Sequence, residues 1–375
     1  MEKEYLKPLI DDLCELISDY IKKFCDTNNV PYHHVSGLLD ESIDSSLRDH
    51  GFKIGTVGIK NRIISAPLAG ISDNTYRIFA GSFGCGLTFS EMVTGYGIHF
   101  SHKKSRKLTE ITDYERPCAL QLFGYEPDIM AEAAKVVEEN ADIIDINMGC
   151  PVPKIIKAKS GGYLMQEEKR VGEIISRMVS VLEKPLTVKT RTGWNKDNLN
   201  VLNIAKIAED CGASAITIHG RTVKQGFSGK VDYTIIRKVK SEINIPVIAS
   251  GDIENPEKAL EVLEYTGCDG VMIGRASKGT LWLFLDILIY LALLKDNRWT
   301  GIEDFVFSPA GEWKKSFAML YLRFLVMFKG EYIAIREFRK HLSWIFKGVR
   351  DIAKVRKKFF LIQSTDDALD IIDSI

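Results

Sequence analysis

The chain has 375 residues, 45% hydrophobic and 27% charged, with 29 Gly and 11 Pro. That composition excludes disordered, collagen-like and disulfide-scaffold proteins. The 50 Lys/Arg balance 50 Asp/Glu, and no run reaches the roughly 18 uninterrupted apolar residues of a membrane helix.

Residues 1–50 carry 11 acids against 5 Lys/Arg, a net of −6, so the remainder carries +6. The acids between Met1 and Tyr20 argue against a signal peptide. Leu6, Leu9, Ile10, Leu13, Ile17, Tyr20, Ile21 and Phe24 recur at helical spacing, and the pattern breaks at Asp26-Thr27-Asn28-Asn29 before Pro31. We expect a separate N-terminal helical extension over residues 1–50, with a second short helix over 38–49. The adjacent His33 and His34 have no further ligand type nearby and read as surface residues. Seven cysteines (Cys14, Cys25, Cys85, Cys118, Cys150, Cys211, Cys268), odd in number and never in a C-x-x-C pair, point to reduced thiols in a cytoplasm, with no metal site.

From residue 62 short β-branched runs alternate with amphipathic ones. The strand candidates are Ile63–Ala66, Leu87–Ser90, Ala119–Leu122, Ile143–Asn147, Leu186–Thr190, Ala215–His219, Val247–Ser250 and Gly270–Ile273. Helical stretches include Asp128–Glu139, Glu167–Leu182, Leu199–Cys211 and Pro256–Thr266. Eight strands alternating with helices indicate an α/β fold, a (β/α)8 TIM barrel over residues 51–296, with strands apolar on both faces. Leu281 to Leu294 is apolar but short and carries Asp286, so it reads as a buried helix. Residues 297–375 stop alternating. There Trp313–Met327 and Ile335–Phe360 read as amphipathic helices of a C-terminal helical domain.

Each strand candidate ends in residues a core would not select: Pro67, Glu91, Gln121, Asn147, Lys189 with Arg191, His219 with Arg221, Ser250 with Asp252, Gly274 with Arg275. In a barrel these tips surround one rim, where active sites form. Gly251 and Gly274 directly follow strands seven and eight, the usual phosphate-binding place, and Arg275 would add a charge-assisted bond. Gln121, Lys189 and His219 suit the polar edge of a flavin, the cation stabilising its anionic reduced form. An ion pair with a neighbouring acid accounts for Lys189 equally well. Gly149 and Pro151 shape the turn that displays Cys150, whose thiol can serve as nucleophile or proton donor. Nine Lys/Arg and two acids lie between Arg336 and Lys358; by charge alone this is a solvated helix face.

With these residues in place the chain resembles the tRNA-dihydrouridine synthase family, from about Phe52 to Arg356. The matching stretches are Ala66 to Asp73, Ser90-Glu91-Met92, Asp145 to Pro151, Lys189 to Trp194, His219 to Thr222, Gly251-Asp252-Ile253 and Ile273-Gly274-Arg275. Arg339-Lys340-His341 with Trp344 resembles that family's RNA-binding region. The bacterial branch with Asn-Met-Gly-Cys-Pro is nearest.

The resemblance implies an FMN enzyme, reduced by NADPH or NADH, that reduces a uridine C5=C6 bond in RNA, tRNA foremost. It implies Cys150 as the proton donor to C5, and Asn147 and Arg191 as substrate ligands. FMN would be held by Pro67, Leu68, Ala69, Gln121, Lys189, His219, Ser250, Gly251, Asp252, Gly274 and Arg275. Arg336, Arg339, Lys340, His341 and Trp344 would hold RNA while the uridine is flipped out. Ser250 replaces a usual Asn, Leu68 a common Met, and Tyr163 a small residue. The acidic N-terminal segment has no counterpart in the usual pattern, leaving dimerisation, shielding of the basic surface or a protein partner as its roles. A barrel oxidoreductase for a small pyrimidine would need no basic helical region. A catalytically impaired RNA-binding flavoprotein would not need Cys150, Asn147, Lys189, Arg191 and His219 all intact.

Overall fold

The computed structural model describes residues 2–36, 51–295, 301, 304–350 and 352–375. The expected helix at 38–49 lies outside them. The chain divides into two units. One comprises residues 48–77 and 85–276, the other the described parts of 1–47, 78–84 and 277–375.

The first unit is the expected barrel. Its strands are β1 (Ile63–Ser65), β2 (Thr88–Phe89), β3 (Cys118–Phe123), β4 (Ile143–Asn147), β5 (Leu186–Arg191), β6 (Ala215–His219), β7 (Val247–Ser250) and β8 (Gly270–Ile273). All neighbours pair in parallel, β8 returning to β1. Between β1 and β2 the ladder narrows to one bridge, Ile64 with Leu87. Strand residues are buried almost throughout, because side chains on one face fill the barrel and those on the other meet helices. Among those helices Pro127–Val137, Glu168–Val179, Val201–Asp210 and Pro256–Thr266 match the expected stretches closely.

An antiparallel hairpin, Phe52–Ile54 with Val57–Ile59, precedes β1. Its Ile54 and Ile59 join one buried cluster with Ile64, Leu87, Ile143, Ala215, Ile248 and Met272. The hairpin therefore plugs the N-terminal end of the barrel and leaves the other end as the mouth.

In the second unit the helix Glu2–Asn28 buries Leu6, Leu13, Ile17, Tyr20, Ile21 and Phe24. It does not stand alone: the Trp313 indole N–H donates to the Leu16 carbonyl at 2.9 Å, and the Tyr20 and Trp313 rings lie 5.0 Å apart. Trp313 belongs to the helix Gly311–Lys329, which packs Phe317 and Tyr321 against Phe79. The apolar stretch near residue 281 is the helix Leu283–Lys295. No described helix is long and apolar enough to cross a membrane. The expected single helix Ile335–Phe360 is two, Glu331–Ile345 and Ile352–Phe359. Between them Gly348 takes φ +87°, a left-handed conformation that ends helices and suits glycine.

Candidate active site at the barrel mouth

Strand register assembles the rim. Gln121 stands opposite Asp145, Asn147 opposite Lys189, Arg191 opposite His219, and His219 opposite Ser250. On β4, Ile143, Asp145 and Asn147 share one face because side chains alternate along a strand. The Gln121 amide donates to Asp145 Oδ2 at 2.7 Å, and the Thr187 hydroxyl donates to Asp145 Oδ1 at 2.6 Å. Burial pushes the Asp145 carboxyl up to about 7 against those two hydrogen bonds.

The carboxylate can only accept, so it fixes the amide of Gln121 with N–H toward itself. The Gln121 Oε1 then accepts from Asn147 Nδ2 at 2.8 Å. Asn147 Oδ1 is thereby aimed at the next loop, where the backbone N–H groups of Cys150 and Gly149 donate to it at 2.9 and 3.2 Å. The second Asn147 N–H faces only the weak acceptor Met92 Sδ, at 3.8 Å.

The Cys150 loop is held on its other side as well. Arg191 Nε donates to the Gly149 carbonyl at 2.8 Å, and Nη1 donates to the carbonyls of Thr222 and Gly226 at 2.9 and 2.6 Å. The Gly162 N–H donates to the Cys150 carbonyl at 3.0 Å. A Cβ on Gly161, which takes φ +60°, would fall 3.1 Å from Cys150 Cβ, so the approach requires glycine. Cys150 itself is half-buried. Burial raises its thiol above the ordinary value, outweighing the Val152 backbone and the Arg191 and Lys189 charges.

Lys189 and His219 contrast with this bonded network. Among the described residues no hydrogen bond or ion pair reaches the Lys189 ammonium. Burial, then the Arg191 charge, lowers it to about 8. The His219 Nδ1 is buried without a partner. Burial first, then the charges of Lys189, Arg191, Arg221 and Arg275, lower that imidazole to about 2, so it is neutral. The cations Arg221 and Arg275 converge on Asp252 at 2.8 and 2.7 Å. The Arg221 hydrogen bond comes first among the influences that hold this carboxyl below the ordinary range. Asp252 sits at φ +49° in the turn after β7, and the Tyr233 hydroxyl donates to the Gly251 carbonyl.

The structure thus gathers Pro67, Leu68, Ala69, Gln121, Asn147, Cys150, Lys189, Arg191, His219, Ser250, Gly251, Asp252, Gly274 and Arg275 at the strand ends of one unit. Asp145 and Arg221 lie in the same network. Asp145 was outside the expected rim residues, its signal being the alternation of β4; Arg221 was expected on the rim but given no ligand. Arg336, Arg339, Lys340, His341 and Trp344 lie in the other unit. There Arg336 stacks on Tyr332 at 3.4 Å and Arg339 on Phe360 at 4.7 Å. The Lys278 ammonium lies 5.5 Å from the Trp344 ring. His341 differs from its neighbours. It is 3% exposed, against the rings of Tyr321 and Trp344, so its ring supports this face from inside rather than meeting a ligand.

The dihydrouridine synthase family model matches residues 64–374. The tRNA-dihydrouridine synthase B of Vibrio cholerae is 38% identical over 322 residues, covering 86% of this chain and 97% of that protein. The protein of the same name from Pseudomonas aeruginosa is 38% identical over 315 residues, 84% of this chain and 92% of the relative. That from Salmonella typhimurium is 39% identical over 323 residues, 86% and 98% of the two chains.

Proposed function

The chain belongs to the dihydrouridine synthase family, and on that premise we propose that it reduces the C5=C6 bond of a uridine in tRNA to 5,6-dihydrouridine. The cofactor is FMN, recharged by NADPH or NADH. The observation that carries this reading is the pairing, at one barrel mouth, of a held, half-buried thiol with a cluster of cations around His219, whose Nδ1 is buried without a partner.

The residues fit a flavin mononucleotide. Lys189 and the orphaned His219 Nδ1 offer a donor-rich edge for the ring system, beside Gln121. Gly251, Gly274 and Arg275 follow β7 and β8, where barrels hold phosphates. A Cβ on Gly274 would meet nothing closer than Ala66 Cβ at 3.6 Å, leaving room beside that backbone. Pro67, Leu68 and Ala69 offer the loop after β1, and Ser250 stands beside His219. Asp252 holds Arg221 and Arg275 in place. Bound reduced flavin would supply the hydride that C6 of the uracil receives.

Hydride addition at C6 leaves the electron pair on C5 and the C4 oxygen, as an enolate. The Asn147 N–H that meets only the weak acceptor Met92 Sδ can stabilise that charge, and the Arg191 guanidinium adds its field from the loops it clamps. Cys150 then gives its proton to C5. Its raised pKa suits this step, because the thiol is protonated at neutral pH. The uridine leaves its stack to enter the mouth, and the tRNA body is held by the basic face of Arg336, Arg339, Lys340 and Trp344. Mass spectrometry of tRNA from cells with and without the protein tests this: a dihydrouridine missing from one position supports it, and identical modification maps refute it.

A further inference from the structure

Between Cys150 and Arg170 the chain carries five Lys/Arg and two Glu, and two tyrosines meet inside this stretch of surface. Tyr125, just past β3, and Tyr163 lie edge to face with centroids 6.3 Å apart. The Lys159 ammonium lies 5.5 Å from the Tyr125 ring centre and the Arg170 guanidinium 4.7 Å. The local carboxylates are otherwise engaged: Glu167 accepts the Tyr163 hydroxyl at 3.2 Å, and Glu173 pairs with Arg170 at 3.0 Å. Lys159 is exposed and has no carboxylate partner among the described residues. Tyr125 is the one aromatic ring that meets Tyr163 among the described residues.

Two features make this more than a solvated surface. Lys159 takes φ +53° just after the helix Pro153–Lys157, a position where glycine is the relaxed choice. A lysine kept there holds its cation beside Tyr125 at a conformational cost. Tyr163, in turn, follows Gly162, whose N–H is bonded to the carbonyl of Cys150. The ring is thus fixed to the loop that bears the proposed proton donor.

We propose that Tyr163, with Tyr125, Lys159 and Arg170, forms a stacking site for the RNA nucleotide adjacent to the target uridine. The inference rests on the reductase reading for its choice of nucleotide. Extruding one base deprives its neighbour of a stacking partner. A half-buried tyrosine ring beside the reactive loop replaces that partner whatever the base, since every base has a π-face. Lys159 and Arg170 neutralise the phosphate that links the two nucleotides.

The test uses the full chain and two readouts: anisotropy of a fluorescein-labelled uridine decamer, and dihydrouridine formation in unmodified tRNA. Tyr163→Ala should weaken decamer binding by about tenfold and lower kcat/KM on tRNA by a similar factor. Tyr163→Phe should change neither. Lys159→Gly relaxes the backbone, so its melting temperature should hold or rise while the decamer binds more weakly, with a shallower salt dependence. The proposal is overturned if Tyr163→Ala binds the decamer like the wild type, if Tyr163→Phe is equally impaired, or if Lys159→Gly binds undiminished. Weakened decamer binding in Tyr163→Ala, with no dihydrouridine made by the wild type in any tRNA, would keep the stacking site and remove the reductase reading.

Discussion

At the barrel mouth the His219 Nδ1 is buried without a partner, and among the described residues no hydrogen bond or ion pair reaches the half-buried Lys189 ammonium, whereas in the helices after residue 311 several cations are given a carboxylate, a ring or a carbonyl. Lys329 pairs with Glu337, Arg336 lies on Tyr332, and Arg339 lies on Phe360 while donating to its carbonyl at 3.2 Å. A buried polar atom without a partner costs free energy, so the mouth stores a deficit that a ligand would relieve. The helical unit presents Arg336, Lys354, Arg356, Lys357 and Lys358 at the surface, where long-range attraction acts without a shaped pocket. On the proposed function, specific chemistry and general affinity would be carried by differently built regions.

The largest expected effect lies at the mouth. Replacing Cys150 by Ala should slow dihydrouridine formation by about 10²- to 10⁴-fold, the usual worth of a positioned acid. Flavin absorbance and tRNA affinity should be kept, because the loop is held through backbone atoms of Gly149 and Cys150. A rate near that of the wild type would end the proton-donor assignment. A smaller effect is expected from the helical unit. Arg339→Glu with Lys340→Glu should weaken tRNA binding by about tenfold and flatten its salt dependence, while single-turnover chemistry at saturating tRNA stays unchanged. Loss of the chemical step at saturation would mean that the two regions do not divide the work in this way.

The barrel was legible because its cause is local. Apolar β-branched runs bounded by helical patterns form strands wherever both faces are covered, and six of the eight strands, β1 and β4 to β8, begin where expected. The break between Ile345 and Ile352 was not, since amphipathic spacing continues on both sides and only Gly348 marks the turn. Residue types at the mouth were legible too, but their states were not. That Lys189 has no carboxylate partner among the described residues could not be read from its neighbours, and that Arg191 spends its donors on three carbonyls and Asp252 gathers two arginines depends on residues 23 to 42 positions away in the chain. The burial of His341 was illegible for the same reason. Its sequence neighbours are basic, but its spatial neighbours are Tyr321 and Trp344.

Asp286 sharpens the comparison from the helical side, because there a buried acid does have its partner. The Tyr20 hydroxyl donates to Asp286 Oδ1, joining the N-terminal helix to the helix Leu283–Lys295. Burial raises the Asp286 carboxyl to about 8, although the Tyr20 hydrogen bond opposes the shift. The unfolded chain, with an ordinary carboxylate, therefore binds fewer protons than the folded one between pH of about 4 and about 8. Stability from this group is full below that window, declines across it and is gone above it. Asp286→Asn keeps an acceptor for Tyr20 but cannot ionise. Its melting temperature should match the wild type near pH 4 and exceed it near pH 8.5, by about 2–4 °C for each kcal/mol of ionisation cost removed. Parallel melting curves across that range would mean that water reaches the carboxylate, and that the N-terminal helix is held by Leu13, Ile17, Ile21 and the Trp313 bond to Leu16 without help from this pair.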